Sequence, residues 1–350
     1  MIVTLTLNPS LDRTLELRRL RRGAVNRAVS VHLDPGGKGV NVTRALRAFG
    51  VASRAVIPCG GADGRETVRL LEEAGIPVIA VPVGGRTRSN VTLVEGGGTS
   101  TKINEPGSPL TAGELAAVGE AMLRACGSED GAGETTGTGT GTATGTATGT
   151  EAAEATRASW AVLCGSLPPG VPDGVYARLT ELFAGHGFRV AVDTSGSALV
   201  AAVPAGPDLI KPNREELAGA VGRPLAKVSD VVAAAEELRE RGAGAVLASL
   251  GPDGAVLVDR DGARYCRADP VEPRSTVGAG DAMLAGFLAA QAAGASGEDA
   301  LIEAVSWGRA AVGLPGSRMP GPKDVSREGV RVVRDPENRP GGQLLSAYDT

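Results

Sequence analysis

The chain has 350 residues, 22% of them charged, and a formal net charge of −4 with a pI near 5.5, so the basic footprint of a nucleic-acid binder is missing from its composition. No stretch of 18 uninterrupted apolar residues occurs and MIVTLTLNPS lacks a charged n-region, so the expectation is a cytoplasmic protein without a membrane partner. Cys59, Cys126, Cys164 and Cys266 form no C-x-x-C pair, and His32 and His186 each stand alone, which argues against a zinc ribbon, a dithiol site and a Ser-His-Asp hydrolase.

From the N-terminus onward, apolar runs of strand length alternate with helix-length amphipathic segments, the pattern of an α/β protein with a mostly parallel sheet. The first strand is expected over 2–7, and Asp12 lies just beyond it. A lone acid after a strand is ordinarily a solvated turn residue, and it gains meaning only where strand ends converge on one cleft. AVSVHL and NVTLVEGGGTSTKI, within about 13–33 and 88–103, read as strands without intervening helices. They are expected to form a small second sheet, a lid over the main one.

Between these lid segments, DPGGKGVNVTRAL sets three glycines and one of five lysines before a helix expected over 41–49. Glycines allow backbone N–H groups to approach a ligand, and Lys38 with the helix start favours an anion. A structural turn explains Gly36, Gly37 and Gly39 equally well, but explains Lys38 and Asn41 less well. A Walker A loop is excluded, because Gly39 follows Lys38 where Ser or Thr is required.

A strand over 55–59 and helices over 65–74 and 113–125 precede the tract GAGETTGTGTGTATGTATGTE. This Gly/Thr/Ala composition buries too little apolar surface to offset its ordering entropy, so a disordered insertion over about 127–157 is expected. The alternation then resumes with strands over 160–164, 189–193, 209–211 and 245–250 and a helix over 231–241, as though one domain, 1–325, had been interrupted. In KPNREEL, Pro212 to Glu216 suits a helix start with Asn213 as cap. Alternatively, Asn213 and Glu216, on one helix face, orient Mg²⁺ through its water shell. In SLGPDG, turn chemistry accounts for every residue, although Gly251 leaves room for a nucleotide beside Ser249.

STVGAGDAMLAGF opens a helix expected over 280–292, with Asp281 in its first turn. That position has an ordinary explanation in the helix dipole and the free N–H groups. No G-x-G-x-x-G follows a clear strand, so a dinucleotide-binding dehydrogenase has little support. The remainder, 326–350, is expected to be a disordered tail.

Taken in order, TLNPSLD, PGGKGVNVTRAL, GSLPPGVP, KPNREEL, SLGPDGA and STVGAGDAMLAGF resemble the motifs of the ribokinase-like sugar kinases of the phosphofructokinase B family. The resemblance spans nearly the whole chain apart from the Gly/Thr tract and the tail. It implies a central, mostly parallel sheet flanked by helices, with a β-sheet lid through which two subunits pair. The implied reaction uses ATP with Mg²⁺, and the opening motifs are most similar to the branch that phosphorylates fructose 1-phosphate at its 6-hydroxyl. Relatives acting on tagatose 6-phosphate or fructose 6-phosphate are the alternatives, and a sugar-phosphate sensor without turnover is a more distant one. By this resemblance, Asp12, Gly37, Lys38 and Asn41 hold the sugar, and Arg27 and Arg88 reach its phosphate. Lys211, Asn213, Ser249 and Gly251 line the nucleotide site, and Asn213 with Glu216 organises Mg²⁺. Gly278, Ala279 and Gly280 present N–H groups to the migrating phosphoryl group, and Asp281 takes the proton from the attacking hydroxyl.

Overall fold

Ile2–Thr6 forms β1, and all five of its side chains are buried; a strand covered on both faces has to be apolar in this way. The computed structural model describes residues 1–97, 99–127, 160–333 and 345–346. In chain order the elements after β1 are β2 (Ser10–Leu17), β3 (Ser30–Gly36), α1 (Lys38–Ala48), β4 (Ser53–Cys59), α2 (Gly61–Glu73), β5 (Val78–Pro82), β6 (Arg88–Glu95), β7 (Ser100–Asn104) and α3 (Ala112–Gly127). There follow β8 (Trp160–Cys164), α4 (Val175–Gly185), β9 (Arg189–Asp193), α5 (Gly196–Ala202), β10 (Leu209–Ile210), α6 (Arg214–Val221) and α7 (Val228–Glu240). The last are β11 (Val246–Ser249), β12 (Ala255–Asp259), β13 (Gly262–Ala268), α8 (Ala279–Ala292), α9 (Gly297–Val312) and β14 (Val330–Val333).

The main sheet has the order β14-β13-β12-β11-β10-β9-β8-β1-β4-β5. From β5 to β11 every neighbouring pair is parallel, and the last three strands add on antiparallel. Two large apolar clusters cover its faces, and a small third one, Val40, Ile57, Leu71 and Ile76, lies under α2. One joins α3, α4, α5 and α7 to the sheet through residues such as Met122, Tyr176, Phe183 and Leu238. The other joins α1, α8 and α9 through Leu46, Leu284, Phe287 and Trp307. On this second side Gly286 permits close helix packing, because a Cβ there would lie 2.8 Å from Trp307 Cγ and 2.9 Å from the Glu303 carbonyl. Trp307 also stacks on Phe49 at 3.6 Å between ring centroids.

The second sheet has the order β3-β2-β6-β7. Its central pair, β2 and β6, is parallel, and the outer pairs are antiparallel. The lid strands reach further than their hydrophobic pattern indicates: β2 begins at Ser10 and β3 runs to Gly36. Asp12 therefore stands within a strand, opposite Asp34, and is not a turn residue. Helix α1 likewise starts three residues before the apolar periodicity does. Its N-cap is Gly37 at φ 124°, where a Cβ would meet Thr6 Cγ2 at 2.7 Å.

The expected insertion lies outside the described residues beyond Gly127, the last residue of α3. The tail requires a correction where it is described. Val330–Val333 pairs with β13 as an edge strand of the main sheet, and Leu345 is buried in the first cluster with its N–H bonded to the Ala226 carbonyl at 2.9 Å. The polar, Gly/Pro-rich composition conceals a four-residue β-branched and basic stretch, VRVV, that an unpaired sheet edge recruits.

Candidate active site

The carboxyl ends of β1, β8, β9, β10 and β11 lie side by side, and all but β9 lead into one of the segments singled out above; open α/β sheets form their ligand crevice at such ends. Helix α1 is seated against this edge by Thr6, whose Oγ1 accepts from the Val40 N–H at 3.2 Å. A Cβ on Gly39 would lie 2.6 Å from the same oxygen. The glycines of GGKG thus bring the start of α1 onto the end of β1, with Lys38 and Asn41 at its first turn.

Asn41 donates from Nδ2 to Asp281 Oδ2 at 2.8 Å across 240 residues of sequence. Asp281 is 7% exposed and lies in the first turn of α8. Its helix is capped by Gly278 at φ 76°, and the partner of the Asp281 carboxylate is the Asn41 amide on α1, outside its own helix. A Cβ on Gly278 would collide with the Met319 methyl group. Burial first, and then the charge of Asp193, raise the Asp281 pKa to about 6, against the pull of Lys38, Asn41 and Lys211.

Asp193 ends β9 and is fully buried. Its Oδ1 accepts from Lys38 Nζ at 2.7 Å, and its Oδ2 lies 3.3 Å from Lys211 Nζ. Burial opposes its charge, but the two ammonium groups outweigh that and lower its pKa. Lys38 Nζ is also 3.5 Å from Glu216 Oε1. Burial disfavours the Lys38 charge, yet Asp193, Glu216 and Asp281 together raise its pKa. Lys211 is close to the start of α8 as well, since a Cβ on Gly280 would lie 3.3 Å from its Nζ.

Asn213 and Glu216 form a complete capping box at the start of α6, with the Asn213 Oδ1 accepting from the Glu216 N–H and Glu216 Oε2 from the Asn213 N–H, both at 2.8 Å. The capping explanation of NREE is therefore fulfilled, but it uses only one Glu216 oxygen; Oε1 faces Lys38. Asn213 also bridges to Ser249 at the end of β11, and Gly251 turns the chain away at φ 59°.

Asp12 and Arg88 occupy the lid side. Ser10 Oγ and Asn90 Nδ2 donate to Asp12 Oδ1 at 2.7 and 3.0 Å, while burial, the largest influence, raises its pKa. The Arg88 guanidinium bonds the carbonyls of Asn8 and Glu105 at 3.2 and 3.1 Å.

The structure thus gathers Lys38, Asn41, Lys211, Glu216 and Asp281 into one charged cluster, with Asn213 and Ser249 beside it. Arg27 is exposed on the loop between β2 and β3, outside the cluster. Lys38 lies between Asp193 at the end of β9 and Glu216 on α6, where a buried carboxylate holds an ammonium strongly. Asp193 is absent from the sequence-based candidates. Its one signal is an acid at the carboxyl end of the strand RVAVD, directly after the apolar run VAV, where ligands gather. Among the described residues, no three Asp, Glu, His or Cys side chains cluster as a cage for a metal. Asp193 and Glu216 nonetheless offer hard oxygen atoms, and Mg²⁺, which retains water and relies on substrate phosphates, suits one or two carboxylates of this kind.

Comparison with known proteins places these features in a common setting. The model of the pfkB family carbohydrate kinases matches residues 5–122 and 124–324. The chain is 38% identical to a 1-phosphofructokinase of Xanthomonas campestris over 82% of this chain and 83% of that protein. It is 36% identical to a 1-phosphofructokinase of Haloferax volcanii over 93% and 95% of the two chains. The crystal structure of phosphofructokinase-2 from Escherichia coli in complex with fructose-6-phosphate superposes with a TM-score of 0.78 at 33% identity, covering 92% of this chain and 96% of that one.

Proposed function

The chain belongs to the pfkB family of carbohydrate kinases, phosphotransferases with an alcohol group as acceptor, and within that family we propose that it phosphorylates fructose 1-phosphate at the 6-hydroxyl, yielding fructose 1,6-bisphosphate and ADP from ATP. The observation that carries the chemistry is Asp281: a buried carboxylate with its pKa raised to about 6, oriented by Asn41 at a helix N-terminus. A base with a pKa near the working pH both exists as carboxylate and accepts a proton readily. Asp281 takes the proton of the 6-hydroxyl as that oxygen attacks the γ-phosphorus. The N–H groups of Gly278, Ala279 and Gly280, at the positive end of the α8 dipole, face the negative charge on the migrating phosphoryl group.

Asp12 accepts hydrogen bonds from the sugar hydroxyls, Gly37 allows close approach, and Arg88 contributes the positive charge for the 1-phosphate. Lys211, Asn213, Ser249 and Gly251 line the ATP side. Asp193 and Glu216 are the residues that would hold Mg²⁺, and the ion would supply charge neutralisation on the nucleotide phosphates. Asn41 fixes the Asp281 carboxylate, and Lys211 balances Asp193. The names of the relatives favour fructose 1-phosphate. The fructose-6-phosphate complex of the Escherichia coli protein supports a second reading in which the same machinery accepts a different phosphosugar.

The deciding measurement is kcat/KM with ATP and Mg²⁺ for fructose 1-phosphate, fructose 6-phosphate, tagatose 6-phosphate and fructose. Fructose 1-phosphate is expected to lead by at least about tenfold, roughly what a few phosphate and hydroxyl contacts contribute. A clear lead for fructose 6-phosphate would overturn the specificity and leave the machinery standing; no turnover with any sugar would overturn both.

The proposal extends to assembly. Val29, Val31 and Ile103 on the lid are 68%, 55% and 55% exposed, an apolar surface suited to pairing two lids into a homodimer.

A further inference from the structure

Lys38 is the first residue of α1, and no acid occupies that first turn. A cation is disfavoured at a helix N-terminus by the dipole, so the side chain is held there by something else. That is a pair of carboxylates from two distant elements: Asp193 at the end of β9, at 2.7 Å, and Glu216 on α6, at 3.5 Å. The Lys38 ammonium bridges them. Glu216 commits its other oxygen to the α6 cap, and Asp193 already has Lys211 as a second, almost completely buried counter-ion. Of the two lysines, Lys211 is 4% exposed and Lys38 33%; one is fixed in the sheet edge and the other opens onto the cleft.

We propose that Lys38 is a resident counter-ion that occupies the divalent-cation position between Asp193 and Glu216 in the free enzyme and leaves it when the metal–nucleotide enters. This rests on the reading that those two carboxylates face Mg²⁺. Asp193, Glu216 and Asp281 carry three negative charges against the two of Lys38 and Lys211. A divalent ion added while Lys38 stays would make the cluster positive, which becomes favourable only once the nucleotide phosphates arrive. Free divalent cation therefore binds poorly, metal and nucleotide enter together, and the displaced Lys38 finds its new partner in the phosphates.

The test is Mn²⁺ binding to the full-length protein without nucleotide or sugar, followed by loss of the free-ion electron paramagnetic resonance signal. Lys38→Met and Lys38→Gln are expected to bind Mn²⁺ at least about tenfold more tightly than the wild-type protein, since a unit charge a few ångströms away has been removed. Lys38→Arg keeps the charge and is expected to stay weak. Adding Glu216→Gln to Lys38→Met should abolish the gain. Unchanged or weaker Mn²⁺ binding in both neutral variants overturns the proposal, as does a gain that survives Glu216→Gln. If Glu216→Gln weakens the wild-type Mn²⁺ affinity while the neutral Lys38 variants equal wild type, the counter-ion role alone falls and the metal reading stands. Mn²⁺ binding indifferent to both Asp193→Asn and Glu216→Gln removes the metal reading as well.

Discussion

At the scale of single residues, Asp281 separates two roles that a sequence cannot distinguish. An acid in the first turn of a helix is stabilising on general grounds, but this one is buried, bonded to Asn41 and close enough to Asp193 for their charges to repel. Its pKa is raised, so it accepts a proton only above about 6. Activity is expected to fall with pH through an apparent pKa near 6 in kcat/KM and to level off above it. Asp281→Asn should lose at least about 100-fold in kcat, together with that acid limb. The stability sign runs the other way. A carboxyl with a raised native pKa favours the folded state at low pH and loses that contribution as pH rises through about 6, so the Asn variant should melt no lower than wild type at pH 8. Near-normal kcat with a lowered Tm would instead make Asp281 a merely structural residue.

At the scale of elements, positioning depends on how closely helices and strand ends approach. KPNREEL was legible as a helix start, and the capping box is present in full; which Glu216 oxygen remains for the site was not, because it depends on where α1 delivers Lys38. GGKG was legible as a close approach, although its partner, Thr6, is fixed only when α1 docks on β1. Behind α8, Gly286 sets the distance to α9. Gly286→Ala should cost about 1–3 kcal/mol in urea unfolding, because the added methyl meets Trp307 and the Glu303 carbonyl in a packed interior. Its KM values should change less than its Cm, since the contact lies behind the catalytic turn; an unchanged Cm would show that the two helices can separate without strain.

For the whole molecule, the lid raises the question of assembly. β3 and β7 are the outer strands of a four-stranded sheet, and Val31 and Ile103 on them are 55% exposed. If these faces pair in a homodimer, Val31→Asp with Ile103→Asp should weaken association at least about tenfold in sedimentation velocity, as a desolvated charge in an apolar interface does. An unchanged sedimentation coefficient would place the subunit contact elsewhere or leave the chain monomeric.

The sequence by itself determined what depends on near neighbours: the alternation of strands and helices, the turns that require glycine, the capping residues and the order of motifs that marks the family. Tertiary structure decided the rest. The tail supplies an edge strand because β13 offers unpaired backbone groups. Asp193 joins the site because adjacent parallel strands end together, and Lys38 turns toward it, 155 residues away in sequence. A buried carboxylate needs a counter-charge, and only the folded sheet determines which lysines are within reach.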